Sequence, residues 1–506
     1  MKPTEQQLLC ITKAKTAKLL KISACAGGAK TTTLTMIAEQ VEQPSIYLAF
    51  NKVTADEASR KFPMHVVCKT THSIAYAQFG TDLAHKLSRP KEGYVNVGGT
   101  GGEIAKLYKI KNIEGKDDVV LITGAGIGQF VKECVAKFEQ SADKKVDTQH
   151  LPMFAMQKVI DAGATKLKAT VLKHARKLWE DRINEDSVVL ATHDTYLKLY
   201  QLSNPKLKYT RIYLDEAQDS TPCVLDIVLQ QRNHAQIVLV GDARQSIYQW
   251  RGSVNAMKVV EGEEAFLGQS FRYGQAVADV AMAVLKGKMN IEGFKEIPSV
   301  VQMVDSKQQY TKLFRTNSAL LSEAVSALDR GVAVDIEIDT KDFVKLLQSA
   351  EALYNDELKQ VKHERILPFA TWLSLCDGAK DEPELNRLVR IVKEGDSQRM
   401  IKALESYRKP LKAESVYTTA HKSKGREWDQ VVLADDYPSH YKGQKWVGLN
   451  EMEENLLYVA VTRAKLVLQV NDSAQEAINY MKQSKDNQIK QMIGALFPES
   501  VCFEEA

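Results

Sequence analysis

Apolar positions fall into two regimes along the chain. Short, nearly unbroken apolar runs at residues 19–23, 45–50, 211–214 and 236–240 end in small or acidic residues. Runs of this length and purity predict parallel strands buried on both faces. A helix-like segment, residues 30–39, follows the first. Strands alternating with helices, with polar chemistry at the strand C-termini, predict an open α/β sheet whose site lies along that edge. Between residues 77 and 192 the period changes, and stretches such as 127–138 and 153–172 carry helical spacing. This part reads as a mainly helical insertion into the sheet. A second α/β region begins near Phe266, resumes at Ser415-Val416 and ends on the strand-like run 466–470. Residues 341–410 read as a smaller, charged helical insertion. The expected organisation is residues 1–76 and 193–264 as a first domain carrying insertion 77–192. Residues 265–340 and 411–506 form a second domain carrying insertion 341–410.

Composition narrows the class. At 506 residues the chain exceeds what one core organises, so several domains are expected. Its 44% hydrophobic and 26% charged residues are ordinary for a globular protein. No apolar run approaches the roughly 18–20 residues that span a bilayer. The first residues, Met1 to Gln7, are polar and carry no signal-peptide core. A cytoplasmic protein, or one of a nucleoid or nucleus, with no membrane partner is therefore expected. Seven scattered cysteines without a C-x-x-C pair predict a reduced setting and no structural metal. The net charge of +4 is too mild to establish a nucleic-acid partner, so any basic track must be local.

Three constellations carry chemistry. The first, Ser23-Ala24-Cys25-Ala26-Gly27-Gly28-Ala29-Lys30-Thr31-Thr32, follows a strand and opens a helix. Small residues let backbone N–H groups curl around phosphates; Lys30 would reach the β- and γ-phosphates and Thr31 would ligate Mg²⁺. Ala29 stands where glycine usually precedes the lysine, at a cost of ~1 kcal/mol if φ there is positive. In the second, Ile212-Tyr213-Leu214-Asp215-Glu216-Ala217-Gln218-Asp219, Asp215 would hold Mg²⁺ and Glu216 would activate the attacking water. In the third, Gly241 to Gly252, Gln245 would contact the γ-phosphate and the water. Tyr248 and Trp250, flanked by Arg251, would stack bases. The plainer readings are a structural turn, an acid-rich helix start and core aromatics.

Asp-Glu-Ala-Gln-Asp followed by Gly-Asp-x-x-Gln-Ser-Ile-Tyr-x-Trp-Arg-Gly resembles the UvrD/Rep/PcrA class of superfamily 1A helicases. Further motifs follow in order. Gln7 resembles the adenine-reading glutamine. Ala49-Phe50-Asn51-Lys52 and Thr70-Thr71-His72-Ser73 resemble DNA-side motifs. Ser270-Phe271-Arg272 resembles the motif whose aromatic stacks on adenine and whose arginine touches the γ-phosphate. The run from Thr419 to Trp428 resembles the motif coupling ribose contact, at Glu427, to DNA contact, at His421 and near Lys422 and Lys424. Tyr458 to Ala464 carries a second arginine finger, Arg463. Within the class, Thr192 to Tyr200 and Ser270 to Gly274 are most similar to the F-box DNA helicase branch. No F-box-like region precedes the first motif, so the targeting and ubiquitin-linked roles of that branch are not carried over. Asn455 replaces an arginine common in the last motif.

The resemblance implies two RecA-like P-loop NTPase domains with ATP and Mg²⁺ in the cleft between them. It assigns Lys30, Glu216, Gln245, Arg272 and Arg463 to catalysis, and Thr31 and Asp215 to the metal. Gln7, Ala26, Gly27, Gly28, Ala29, Thr32, Phe271 and Glu427 are assigned to the nucleotide. Phe50, Asn51, Thr70, His72, Tyr248, Trp250, Arg251 and His421 are assigned to DNA. The implied activity is ATP-dependent 3′→5′ translocation on single-stranded DNA and at single-strand/duplex junctions, unwinding duplex or displacing protein in repair or recombination. A recombinase, nuclease or replication factor is the expected kind of protein partner. The rival readings are an ATP-gated DNA-binding switch and the motor subunit of a nuclease complex.

Overall fold

In the computed structural model, residues 2–40, 42–87, 97–380 and 382–496 are described. Six strands form the first sheet: β1 (Leu19–Ala24), β2 (Ser45–Ala49), β3 (Val66–Thr70), β4 (Arg211–Leu214), β5 (Gln236–Gly241) and β6 (Glu263–Leu267). Their order is β3-β2-β4-β5-β1-β6, and the first five run parallel. Four of them are the expected apolar runs, each within one residue of its anticipated ends. The edge strands β3 and β6 bury only part of their residues, so they lack the continuous apolar signal that marks a central strand. Ile46, Leu48, Ile212, Leu214, Ile237 and Leu239 pack with Tyr196, Leu197 and Tyr200 of the helix His193–Leu202 in one core.

The first insertion has its own core, built from Ile127, Phe130, Val131 and Phe138 of helix Gly124–Gln140 and Val171, Ala175 and Leu178 of helix Leu167–Ile183. The expected helical stretch 153–172 is broken. Helix Met153–Asp161 stops before Gly163, whose φ of +115 lies outside the helical region, and the next helix begins at Leu167. A buried ion pair ties this insertion to the first sheet's layer. Arg182 Nη1 donates to Glu139 Oε2 at 2.9 Å, with the side chains 3% and 1% exposed. Glu139 also accepts from Thr195 Oγ1 at 2.6 Å and Thr192 Oγ1 at 3.3 Å, at the start of helix His193–Leu202.

The second sheet contains β7 (Val300–Val301), β8 (Tyr310–Phe314), β9 (Val334–Ile336), β10 (Ser415–Thr419), β11 (Trp428–Leu433) and β12 (Ala464–Gln469). All are parallel, in the order β9-β10-β8-β11-β12-β7. The chain is therefore α/β with two parallel-stranded sheets, as the resemblance implied.

Two compact units result: Met1–Ser23, Lys30–Phe266 and Asp339–Arg408 in the first, Ala24–Ala29, Leu267–Ile338 and Lys409–Ala506 in the second. The second insertion thus interrupts the second sheet in chain order, between the neighbouring strands β9 and β10, but packs within the first unit. There Lys132 pairs with Glu364, and Lys158 Nζ donates to Asp377 O at 2.6 Å. Among the described residues no helix is long and apolar enough to cross a membrane. Six cysteines are free thiols; Cys502 lies outside the described residues.

Candidate active site

In the first unit, β4 delivers Asp215 and Glu216 at its C-terminal end, while Lys30 opens the helix Lys30–Glu39 that follows β1. Lys30 Nζ lies 2.7 Å from Glu216 Oε1. Glu216 adopts φ 50 in the left-handed region, a strain of ~1–3 kcal/mol. Its N–H donates to Asp215 Oδ1 at 2.8 Å, which pins the turn. Asp215 is 5% exposed, and the Tyr47 hydroxyl donates to its Oδ2 at 2.5 Å. Burial and the adjacent Glu216 charge push the Asp215 carboxyl above its ordinary range, against the pull of Lys30 and Tyr47. Burial opposes the Lys30 charge, but Glu216, Asp215 and Asp242 outweigh it, and the ammonium is pushed up to about 12.

Gln218 joins the carboxylates. Fully buried, it donates from Nε2 to Glu216 Oε2 at 2.5 Å and to Asp219 Oδ2 at 3.1 Å, and it accepts the Asp242 N–H at 3.1 Å. Gln245 Nε2 donates in turn to Asp242 Oδ2 at 2.7 Å. Lys30, Asp215, Glu216 and Gln245 therefore belong to one hydrogen-bonded network at the ends of β4 and β5. Sequence reasoning missed Tyr47, Gln218 and Asp242 as members. Gln218 and Asp242 lay inside quoted motifs, but Tyr47 is one polar atom in an apolar strand and gave no local signal.

The residues fit a divalent cation. Thr31 and Asp215 supply a hydroxyl and a carboxylate, the oxygen donors that Mg²⁺ takes, and Asp215 is held by the Tyr47 hydroxyl. Among the described residues no group of three or more His, Cys, Asp or Glu side chains is placed to cage an ion. A cation held partly by phosphate oxygens and water needs none.

In the second unit, the loop Ala24–Ala29 has Gly27 at φ +78 and Ala29 at φ +53. A Cβ on Gly27 would lie 2.6 Å from Ser270 Oγ and 2.7 Å from Arg272 Cβ, so no larger residue fits. The Ala26 N–H donates to the Tyr458 hydroxyl at 2.9 Å, the Gly28 N–H to Cys25 O at 3.0 Å, and the Phe271 N–H to Gly27 O at 2.9 Å. Phe271 packs on Phe294 with ring centroids 5.3 Å apart. Arg272 Nε pairs with Glu427 Oε2 at 2.6 Å, and its Nη1 reaches Thr462 O at 3.3 Å. Arg463 is wholly buried, donating to Val459 O, Arg426 O and Thr462 Oγ1. Its guanidinium is thus directed into the unit's own backbone. Asn455 is also fully buried, in the helix Glu451–Val461.

Several other assigned residues have local structural work. Gln7 completes a capping box with Thr4 on the helix Glu5–Lys13, and its Nε2 donates to Thr33 Oγ1 at 3.2 Å. Asn51 and Thr70 cap the helices Lys52–Ser59 and Thr71–Ala75. His72 Nε2 lies 3.2 Å from Asp194 Oδ1. Burial raises the Asp194 carboxyl, but His72 and Gln140 more than offset this and hold it below its ordinary value. Phe50, 55% exposed, lies nearly parallel to Tyr248 at 6.4 Å, and Trp250 is 61% exposed. His421 sits half-buried on the short helix Ala420–Ser423 after β10. The Arg251 side chain lies outside the described residues, while Thr32 is exposed in the first turn of helix Lys30–Glu39.

Residues 7–251 match the AAA domain family, and residues 414–469 match the UvrD-like helicase C-terminal domain family. The chain is 31% identical to F-box DNA helicase 1 of Gallus gallus over 94% of its own length and 49% of that relative. It is 28% identical to F-box DNA helicase protein 1 of Schizosaccharomyces pombe, over 93% of this chain and 57% of the relative. The chain thus spans about half the length of these curated relatives. Both family matches fall on the segments that carry the ordered motifs, one on each sheet, and the relatives align across nearly the whole chain. Together these matches support a UvrD-like superfamily 1 helicase.

Proposed function

We propose that this chain is an ATP-driven motor that moves 3′→5′ along single-stranded DNA and unwinds duplex or displaces bound protein in repair or recombination. The observation that carries the reading is the network linking Lys30, Glu216, Gln218, Asp242 and Gln245. Lys30 and Glu216 neutralise each other at 2.7 Å. A triphosphate that draws the Lys30 ammonium away leaves Glu216, still held by Gln218, to accept a proton from water. Gln245 orients that water. Bound Mg²⁺ supplies neutralisation of phosphate charge, held by Thr31 and Asp215. The reading assigns Arg272 and Arg463 to the γ-phosphate during turnover, which requires both guanidinium groups to leave the partners described above.

On the DNA side, Phe50, Tyr248 and Trp250 supply stacking surfaces worth ~1–3 kcal/mol per base. His72, Arg251 and His421 contribute backbone contacts, and Asn51 and Thr70 act through the helices they cap. Polarity, the single-strand/duplex junction as substrate and the class of protein partner come from the resemblance. The names of the relatives support DNA as the track. A second reading, an ATP-gated DNA-binding switch, is favoured by one observation, the strained Ala29 in the phosphate loop.

The test is ATP hydrolysis with and without single-stranded DNA, for the wild type, Lys30→Ala and Glu216→Gln. The motor requires strong DNA stimulation that falls by ~10²-fold or more in both variants. Absence of hydrolysis under every condition overturns the motor and leaves the switch. Unwinding of 3′- against 5′-tailed duplexes then decides polarity.

A further inference from the structure

Tyr47 lies in the interior strand β2, 0% exposed, beside Tyr213 of β4 in the sheet register. Its ring packs on Phe62 with centroids 4.8 Å apart. The hydroxyl leaves this apolar setting at one point only. It donates to Asp215 Oδ2 at 2.5 Å. One buried phenol therefore touches a carboxylate assigned to the metal ion. Asp215 Oδ1 accepts from the Glu216 N–H, so each oxygen of that carboxylate already holds one protein donor. A carboxylate oxygen has two lone-pair sites, so one on each oxygen stays open for a cation or its water.

We propose that Tyr47 is a positioning residue for the divalent cation that accompanies the nucleotide, fixing the Asp215 carboxylate through its own O–H. The inference rests on the motor reading and names a residue that none of its motifs assigns. The phenol suits the task because its ring is held by packing in the sheet while its one proton is already directed at Asp215 Oδ2. Partners that orient a ligand without touching the metal typically govern ~10–100-fold of metal affinity.

Tyr47→Phe removes the hydroxyl and keeps the ring against Phe62. The readout is binding of a fluorescent adenosine diphosphate, titrated with Mg²⁺ and repeated in chelator. The Mg²⁺ concentration for half-maximal effect should rise about tenfold, with affinity in chelator unchanged. Phe62→Leu loosens the same packing but keeps the hydroxyl, and it should leave the Mg²⁺ dependence within twofold of wild type. An unaltered Mg²⁺ dependence in Tyr47→Phe, or an equal shift in Phe62→Leu, overturns the assignment alone. A wild-type protein that binds no nucleotide overturns the motor reading and the assignment together.

Discussion

Ala29, next to Lys30 in the chain, and Glu216, next to Asp215, both hold positive φ without being glycine, at 53 and 50. At Glu216 the conformation is enforced by the Asp215 carboxylate that captures its N–H. At Ala29 the left-handed backbone costs ~1–2 kcal/mol, against ~0.5–1 kcal/mol of chain entropy that a glycine would lose. Ala29→Gly should therefore stabilise the fold by about 1 kcal/mol or less. Urea denaturation of the pair of proteins checks this, and a lowered midpoint would refute the strain argument. Gln7 shows how one side chain answers two readings. The resemblance assigned it to adenine, while Thr4-Glu5-Gln6-Gln7 is also a helix-start signature whose capping bonds the structure forms.

Between elements, the Glu139–Arg182 pair is the joint by which helices Gly124–Gln140 and Leu167–Ile183 hold the start of helix His193–Leu202. Removing one partner strands a charge in a dry interior, so Arg182→Ala should cost ~3–5 kcal/mol. Replacing both residues with leucine should cost clearly less, because no charge is then left unpaired. Urea midpoints of the single and double variants decide, and a double variant worse than the single would show that the pair itself stabilises the joint. Charged residues spaced 43 apart gave no hint of pairing in the sequence. The helices that carry them did, since their apolar spacing is local.

The placement of the second insertion involves contacts across more than two hundred residues. Gly126, in helix Gly124–Gln140, meets the backbone of this insertion directly: an added Cβ would lie 2.6 Å from Leu367 O. A cavity of about 260 Å³ nearby is lined by Thr100, Thr123, Lys359, Val361 and Phe369. Gly126→Ala should push the insertion outward at ~1–3 kcal/mol, the range for overpacking. Limited proteolysis read by mass spectrometry should then show faster cleavage around residues 355–370, and an unchanged pattern would mean that the neighbour yields without displacement.

The central strands, the turn of small residues between a strand and the helix that Lys30 opens, and the carboxylate pair at a strand end were legible in the linear order of residues. Burial on both faces leaves an uninterrupted apolar run, and phosphate chemistry needs small residues and a lysine at fixed spacing. Edge strands β3 and β6 left a weaker trace because solvent takes part of their residues. Folding alone determined that Tyr47 meets Asp215, that Arg463 spends its donors inside its own unit, and that residues 339–408 pack with the first sheet's unit. The physical reason is shared by all three. A hydrogen-bonding side chain or an apolar face states in the sequence that it needs a partner, while which partner it finds depends on the path of chain segments far away.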